Sequence, residues 1–304
     1  MAKSKIPTLK SFVTLAINKR KKYIIVEGID DIKFYENIAI SISLENFKVK
    51  FIGHLVDYPR LGNCDKVIKY MKKISSLPIN EDKKKFILGI IDGDAKKYKN
   101  SISNRNDLLY ILQYYSWESY FVNKEVVAKT VIKFLKTRTL IDDKLITIIY
   151  KEILEYLLDT VWFCGLKKLK YELQKKKEDN SCNKTEKLYK KLLKELEMEK
   201  DELKKFAVEN NLKQNEEIFL EITLGKLSLN SFIEIYLKIL KRLPNLCKKN
   251  EITKCDYCKY EENNNCLYNL KNENLRESDI KVFITELDDI QSLTLIKQRI
   301  LQLK

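Results

Sequence analysis

YIIVEGIDDIKFY, residues 23–35, holds a short apolar run that stops at Glu27-Gly28 and passes at once into helical spacing. Tyr23–Val26 contains no charged residue, the pattern of a strand covered on both faces. From Asp30 to Ile42 the positions Ile32, Tyr35, Ile38 and Ala39 recur at helical intervals, and Asp30 and Asp31 suit a helix's first turn. The same alternation continues outward. Phe47–Ile52 reads as a strand and Cys64–Ile74 as a helix with Val67, Ile68, Met71 and Ile74 on one face. Phe86–Ile91 reads as a strand stopped by Asp92-Gly93-Asp94, and Leu108–Leu112 as a fourth strand. Strands alternating with helices predict an α/β parallel sheet with right-handed crossovers.

From Val122 onward the text turns to long helical patterns. Residues 143–166 read as one buried helix. Residues 184–208 read as a solvent-facing helix with Leu188, Leu192, Leu193, Leu196 and Leu203 on one side, and Glu209–Glu217 as a polar linker. The expected organisation is therefore an α/β domain over 1–123 and a mainly α-helical region over 124–304. Residues 1–22, with seven Lys or Arg and no acid, read as a basic arm or a solvated lead-in.

The 304 residues are 44% hydrophobic and 33% charged, enough for a sizeable core. The 7 glycines and 4 prolines exclude collagen-like and linker-rich chains. The formal net charge of +15 favours a polyanionic partner. Only 7 of the 58 basic residues are arginine, so part of that charge reflects lysine-rich codon usage rather than selection for binding. No apolar run approaches the ~18 residues of a membrane span. No secretory signal is evident, and the chain reads as cytoplasmic with reduced thiols. No GxxxxGK[ST] string is present, so no phosphate-binding loop of that kind is expected.

Three acids fall where strands end: Glu27 after the first, Asp92 and Asp94 after the third. Ligands of open parallel sheets bind outside the carboxyl ends of the strands, so these groups are mutually reachable. Two residues apart in extended backbone, Asp92 and Asp94 would point the same way, with Gly93 letting the chain turn and leaving room for a phosphate. Such carboxylates suit Mg²⁺ or Mn²⁺. Lys96, Lys97 and Lys99 follow directly and are candidates for binding nucleic-acid phosphates. His54, the single histidine, falls after the second strand at the same edge. A second cluster, Cys247, Cys255, Cys258 and Cys266, has the spacing C-x7-C-x2-C-x7-C; its central C-x-x-C is the knuckle by which two thiolates grip a tetrahedral ion, and a structural Zn²⁺ is the expected occupant. Cys64, Cys164 and Cys182 read as ordinary buried thiols.

VEGIDDIKFY (26–35) followed by IIDGDAKKY (90–98) resembles the two signature motifs of the Toprim domain, shared by topoisomerases, primases, overcoming-lysogenization-defect nucleases and small ribonucleases. The resemblance implies Glu27 as general acid or base, with Asp31 a recurring acidic position beside it, and Asp92 and Asp94 as Mg²⁺ ligands. YYSWESYFVN (114–123) is similar to a string in the Toprim nuclease effectors of the PARIS anti-phage system, and implies Glu118 as a further metal ligand. It also implies a toxic endonuclease that cuts RNA, tRNA above all, restrained by a separate ABC- or AAA-type ATPase and self-associating as a homodimer. The alternatives are a housekeeping nuclease of RNA maturation, a DNA-cutting enzyme, or a non-catalytic nucleic-acid-binding protein.

Overall fold

The computed structural model describes residues 8–56, 58, 60–99, 106–174, 186–260 and 265–303, without the side chains of 99, 186–195 and 197. The chain forms two compact units: residues 1–113 together with 288–304, and residues 114–287. The change-over thus falls between Gln113 and Tyr114 rather than after 123, and the C-terminal residues return to the first unit.

The first unit begins with helix α1 (Leu9–Asn18), opened by the Thr8 side chain, which accepts from the Ser11 amide. Over residues 9–18 this corrects the reading of an arm or solvated lead-in; residues 1–7 of that stretch lie outside the described residues. Phe12, Val13 and Ala16 are buried, and the Phe12 ring lies 4.7 Å from that of Tyr23. The lysines masked a periodicity that the core uses. Strand β1 (Lys22–Val26) follows, then α2 (Asp31–Ser41), β2 (Phe47–Phe51), a 3-10 turn (Ile52–His54), α3 (Asn63–Ser75) and the short α4 (Glu81–Lys84). Strand β3 (Ile87–Ile91), the short α5 (Lys96–Lys99) and β4 (Leu109–Ile111) complete the sheet.

The strand order is β2-β1-β3-β4 and every pairing is parallel, as the alternation predicts. All five residues of β3 are buried, in keeping with an uninterrupted apolar run. Helix α3 seats directly on β3. At Gly89 an added Cβ would come within 2.7 Å of Met71 Cγ and 3.0 Å of Val67 Cγ1, so the missing side chain is what lets the helix approach. A C-terminal helix, Thr294–Leu301, buries Ile296 and Ile300.

The second unit opens with a 3-10 turn (Trp117–Phe121), followed by α6 (Lys124–Phe134) and α7 (Asp143–Tyr156). The expected single helix over 143–166 is interrupted: a π turn (Leu157–Val161) joins α7 to α8 (Trp162–Leu173). Helix α9 (Glu186–Glu209) buries Leu196 and Leu203 and is tied to α8 by Lys167–Glu199 at 3.0 Å and Lys170–Glu202 at 2.5 Å. Leu188, Leu192 and Leu193 of the expected apolar side, and Cys182, lie outside the described side chains. Then come α10 (Glu216–Ile222), the long α11 (Gly225–Lys248), α12 (Asp256–Lys259) and α13 (Glu277–Thr285). Helix α11 is this unit's hub: Phe232, Tyr236, Ile239, Leu240 and Leu243 along it are all buried. Helix α14 (Thr294–Leu301) belongs to the first unit. Among the described residues no helix is long and apolar enough to cross a membrane.

Candidate functional site

The acidic site is built by the sheet register. Parallel β1 and β3 are adjacent, with Ile25 opposite Gly89, so both chains leave the sheet at the same edge and Glu27 arrives beside the end of β3. Glu27 Oε1 accepts a hydrogen bond of 2.8 Å from the Asp92 amide. Asp31, the first residue of α2, reaches back to accept from the Gly28 amide at 2.8 Å, which pins the turn carrying Glu27. Its place in the first turn thus serves the loop before the helix as well as the helix dipole.

The turn after β3 differs from the extended DGD expected. No glycine in the described chain has a positive φ; Asp94 (42°) and Ala95 (53°) are the left-handed residues. Gly93 is buried. Two successive non-glycine residues in this region carry backbone strain, which collects where a site dictates geometry. The strained turn swings Asp94 toward Glu27. The side chains of Glu27, Cys64 and Asp94 each offer a ligand atom, all within 4.8 Å of one another. Asp92 instead contributes its backbone: its amide bonds Glu27, and its carbonyl accepts from Lys96.

Cys64 is the residue that sequence reasoning missed. It is the second residue of α3 and half-buried, and the sequence signal was weak because a lone cysteine on an amphipathic helix is ordinarily a packing residue. Only the seating of α3 on β3 brings it to the carboxylates.

Lys96 joins the same group rather than projecting outward. Its ammonium bonds Asp94 Oδ2 at 3.0 Å and the Asp92 carbonyl, and its side chain is 10% exposed. Lys97 lies over the Tyr98 ring at 5.7 Å. The side chain of Lys99 lies outside the described ones. His54 is exposed on the turn after β2, edge-on to the Phe51 ring at 5.2 Å.

The electrostatics follow from the crowding. Burial pushes the Glu27 carboxyl up to about 7, reinforced by Asp94 and Asp31 and opposed by Lys96 and the Asp92 amide. Burial, with Glu27 adding to it, raises the Cys64 thiol to about 12. Lys96 is pulled down by burial, but Asp94, Cys64 and Glu27 outweigh that and hold the amine above its ordinary value. A carboxyl that titrates near neutrality beside a second carboxylate and a cation can take or give a proton at working pH.

Glu118 belongs to the second unit. It sits in the 3-10 turn, 4% exposed, and accepts from Ser116 Oγ at 2.5 Å. Gly225, at the start of α11, makes room for this pair: an added Cβ would fall 1.9 Å from Ser116 Oγ and 3.2 Å from Glu118 Oε2.

The four clustered cysteines come together as their spacing predicts. Cys247 ends α11, Cys255 precedes α12, Cys258 lies within it and Cys266 follows; all are buried, and all four sulfurs lie within 4.8 Å of one another. Cys255 and Cys266 Sγ are 3.9 Å apart, far beyond a disulfide bond. That separation matches the edge of a tetrahedron with metal–sulfur bonds of roughly 2.3 Å, which is about 3.8 Å. The Cys255 amide donates to Cys247 Sγ at 3.3 Å, a bond that favours thiolate. Burial raises Cys255, but the Leu267 and Cys258 amides and the neighbouring thiols outweigh it and bring it down to about 7. Burial pushes Cys247 up to about 11. The cluster could hold a structural metal ion such as zinc.

No protein-family model matches the chain, and no curated protein matches it in sequence.

Proposed function

We propose that the chain is a divalent-metal-dependent phosphodiester hydrolase of the Toprim type that cuts nucleic acid, RNA and in particular tRNA being the favoured substrate. The observation that carries this reading is Glu27, held at the sheet edge by the Asp92 amide within reach of Asp94, with its carboxyl raised to about 7. The donor set suits a divalent cation, since two carboxylates converge where the resident positive charge is the Lys96 ammonium. Glu27 and Asp94 would hold the ion, with Asp92 beside them. A bound Mg²⁺ or Mn²⁺ would supply charge neutralisation for a scissile phosphate and an activated water. The chain's own part is ligation of the ion by Glu27 and Asp94, orientation of the Glu27 turn by Asp31, and the positive charge of Lys96 for a phosphate oxygen. Lys97 and Lys99 extend the basic flank.

The Cys247–Cys266 cluster is proposed to hold Zn²⁺ in a closed, structural role, because four buried sulfurs leave no position for substrate. The role as a toxic anti-phage effector in the cytoplasm, the separate ATPase partner, the homodimer, and Glu118 as a further metal ligand rest on the resemblance of the segments 26–35, 90–98 and 114–123.

The test is induced expression of wild type against Glu27→Gln, with RNA-end sequencing and genomic DNA gels. New RNA ends in wild type alone establish the ribonuclease. Broken DNA in wild type alone moves the chemistry to DNA. Cleavage that persists in Glu27→Gln, or is lacking in both even with a neighbouring ATPase and phage infection, overturns the reading.

A further inference from the structure

The metal-centre reading leaves one donor unused. Cys64 lies within 4.8 Å of the Glu27 and Asp94 oxygens, and its position is set by a packed helix rather than a loop. Val67, Tyr70, Met71 and Ile74 of α3 are buried, and the contact of Met71 and Val67 with Gly89 locks the helix to the strand that leads into Asp92 and Asp94. One cation already sits among these donors. The Lys96 ammonium bonds Asp94 and the Asp92 carbonyl and interacts directly with the Cys64 thiol. A cation is therefore held where the three donors converge.

We propose that Cys64 is a third ligand of this centre, so that the site binds a borderline divalent ion of the zinc, cobalt or cadmium class in preference to Mg²⁺. The inference rests on the reading of Glu27 and Asp94 as a metal centre. Mg²⁺ requires oxygen donors and gains little from sulfur, whereas a thiolate selects Zn²⁺-like ions. On binding, the S–H bond breaks, the sulfur's electron pair forms the metal–sulfur bond, and the proton leaves to solvent. The incoming ion displaces the Lys96 ammonium, which keeps the Asp92 carbonyl or a substrate phosphate as acceptor. The consequence for the enzyme is control by metal identity: a zinc-class ion displaces Mg²⁺ from the same carboxylates.

The experiment titrates Cd²⁺ into the full chain, metal-stripped and then loaded with one equivalent of Cd²⁺ to fill the four-cysteine cluster. The readout is the ultraviolet sulfur-to-cadmium band. Wild type should take up a further ion with a further rise in that band and release of a proton, and a large excess of Mg²⁺ should not reverse it. Cys64→Ser should abolish the rise and weaken the ion by more than the roughly 10–100-fold that loss of an outer-shell partner costs. Glu27→Gln should weaken it too. Because a variant could alter the fold, Cys64 alkylation is followed by mass spectrometry in wild type: Cd²⁺ should protect the thiol and Mg²⁺ should not. A further ion that binds with no sulfur band and leaves Cys64 equally reactive overturns the proposal while keeping the oxygen-ligated centre. No further ion of either kind overturns both.

Discussion

Glu27 carries the largest consequence of any single side chain in the site. Its folded value near 7 exceeds the ordinary 4.5, so between those pH values the folded chain binds more protons than the unfolded one. Stability therefore falls as pH rises from 4.5 to 7, and the full penalty applies above 7. In chelator-treated protein, Glu27→Gln should be more stable than wild type at pH 8, by on the order of 1–3 kcal/mol, and equal to it at pH 4. Thermal melts at the two pH values decide it; equal gains at both would show that burial does not govern this carboxyl. The same substitution should abolish cleavage, so activity and stability move in opposite directions, the pattern of a group kept for chemistry rather than for folding. Asp31 works one step back from the chemistry. Asp31→Ala, which frees the Gly28 amide, should cost about 1 kcal/mol in urea unfolding. It should also lower activity through disorder of the Glu27 turn, with no new ion bound or lost.

At the scale of elements, the site depends on how closely α3 meets β3. Gly89→Ala places a methyl group 2.7 Å from Met71 Cγ, and the helix that carries Cys64 must give way. A cost of about 1–3 kcal/mol is expected. Adding Met71→Ala should return part of it, because the smaller side chain vacates the contested space. A double-mutant cycle by urea unfolding measures that coupling; strict additivity would place the strain elsewhere. Helix α1 offers a second test. As a basic arm it would tolerate Phe12→Ala with no change in stability. As a core helix, with Phe12 3% exposed and its ring against Tyr23 and Tyr70, it should lose about 3–5 kcal/mol. The π turn between α7 and α8 shows the limit of periodicity: one extra residue in a turn leaves the apolar pattern nearly unchanged, so 143–166 reads as a single helix.

At the scale of the molecule, the first unit is closed by the chain's far end: Leu293, Ile296 and Ile300 are fully buried, and Arg299 donates to the Asp107 carbonyl just ahead of β4. Truncation after Leu287 should strip this cover and abolish cooperative melting of the first unit, read by loss of near-ultraviolet dichroism. In the second unit the four buried cysteines form a cluster that could hold a metal ion, and the proposed zinc would fasten it. A chelator strong enough to remove zinc, or Cys258→Ser, should lower the melting temperature and open the segment around 247–266 to protease, while Mg²⁺ does not restore it. An unchanged melt would show that the four sulfurs need no ion.

The four strands, their parallel order of alternation and the C-x7-C-x2-C-x7-C cluster were legible because each is written locally. An unbroken apolar run must be covered on both faces, and a C-x-x-C knuckle closes within one turn of chain. The convergence of Glu27 with Asp94 was half-legible, since strand-end acids in a parallel sheet share an edge. What the tertiary structure alone decided lies in contacts between distant residues. Cys64 reaches the carboxylates because Gly89 admits α3. Lys96 turns inward because Asp94 and Ala95 adopt left-handed backbone, and α14 returns to the sheet from the end of the chain. None of these leaves a periodic trace, because each depends on which surfaces meet once the strands have paired, and the meeting of surfaces is set by packing rather than by spacing along the chain.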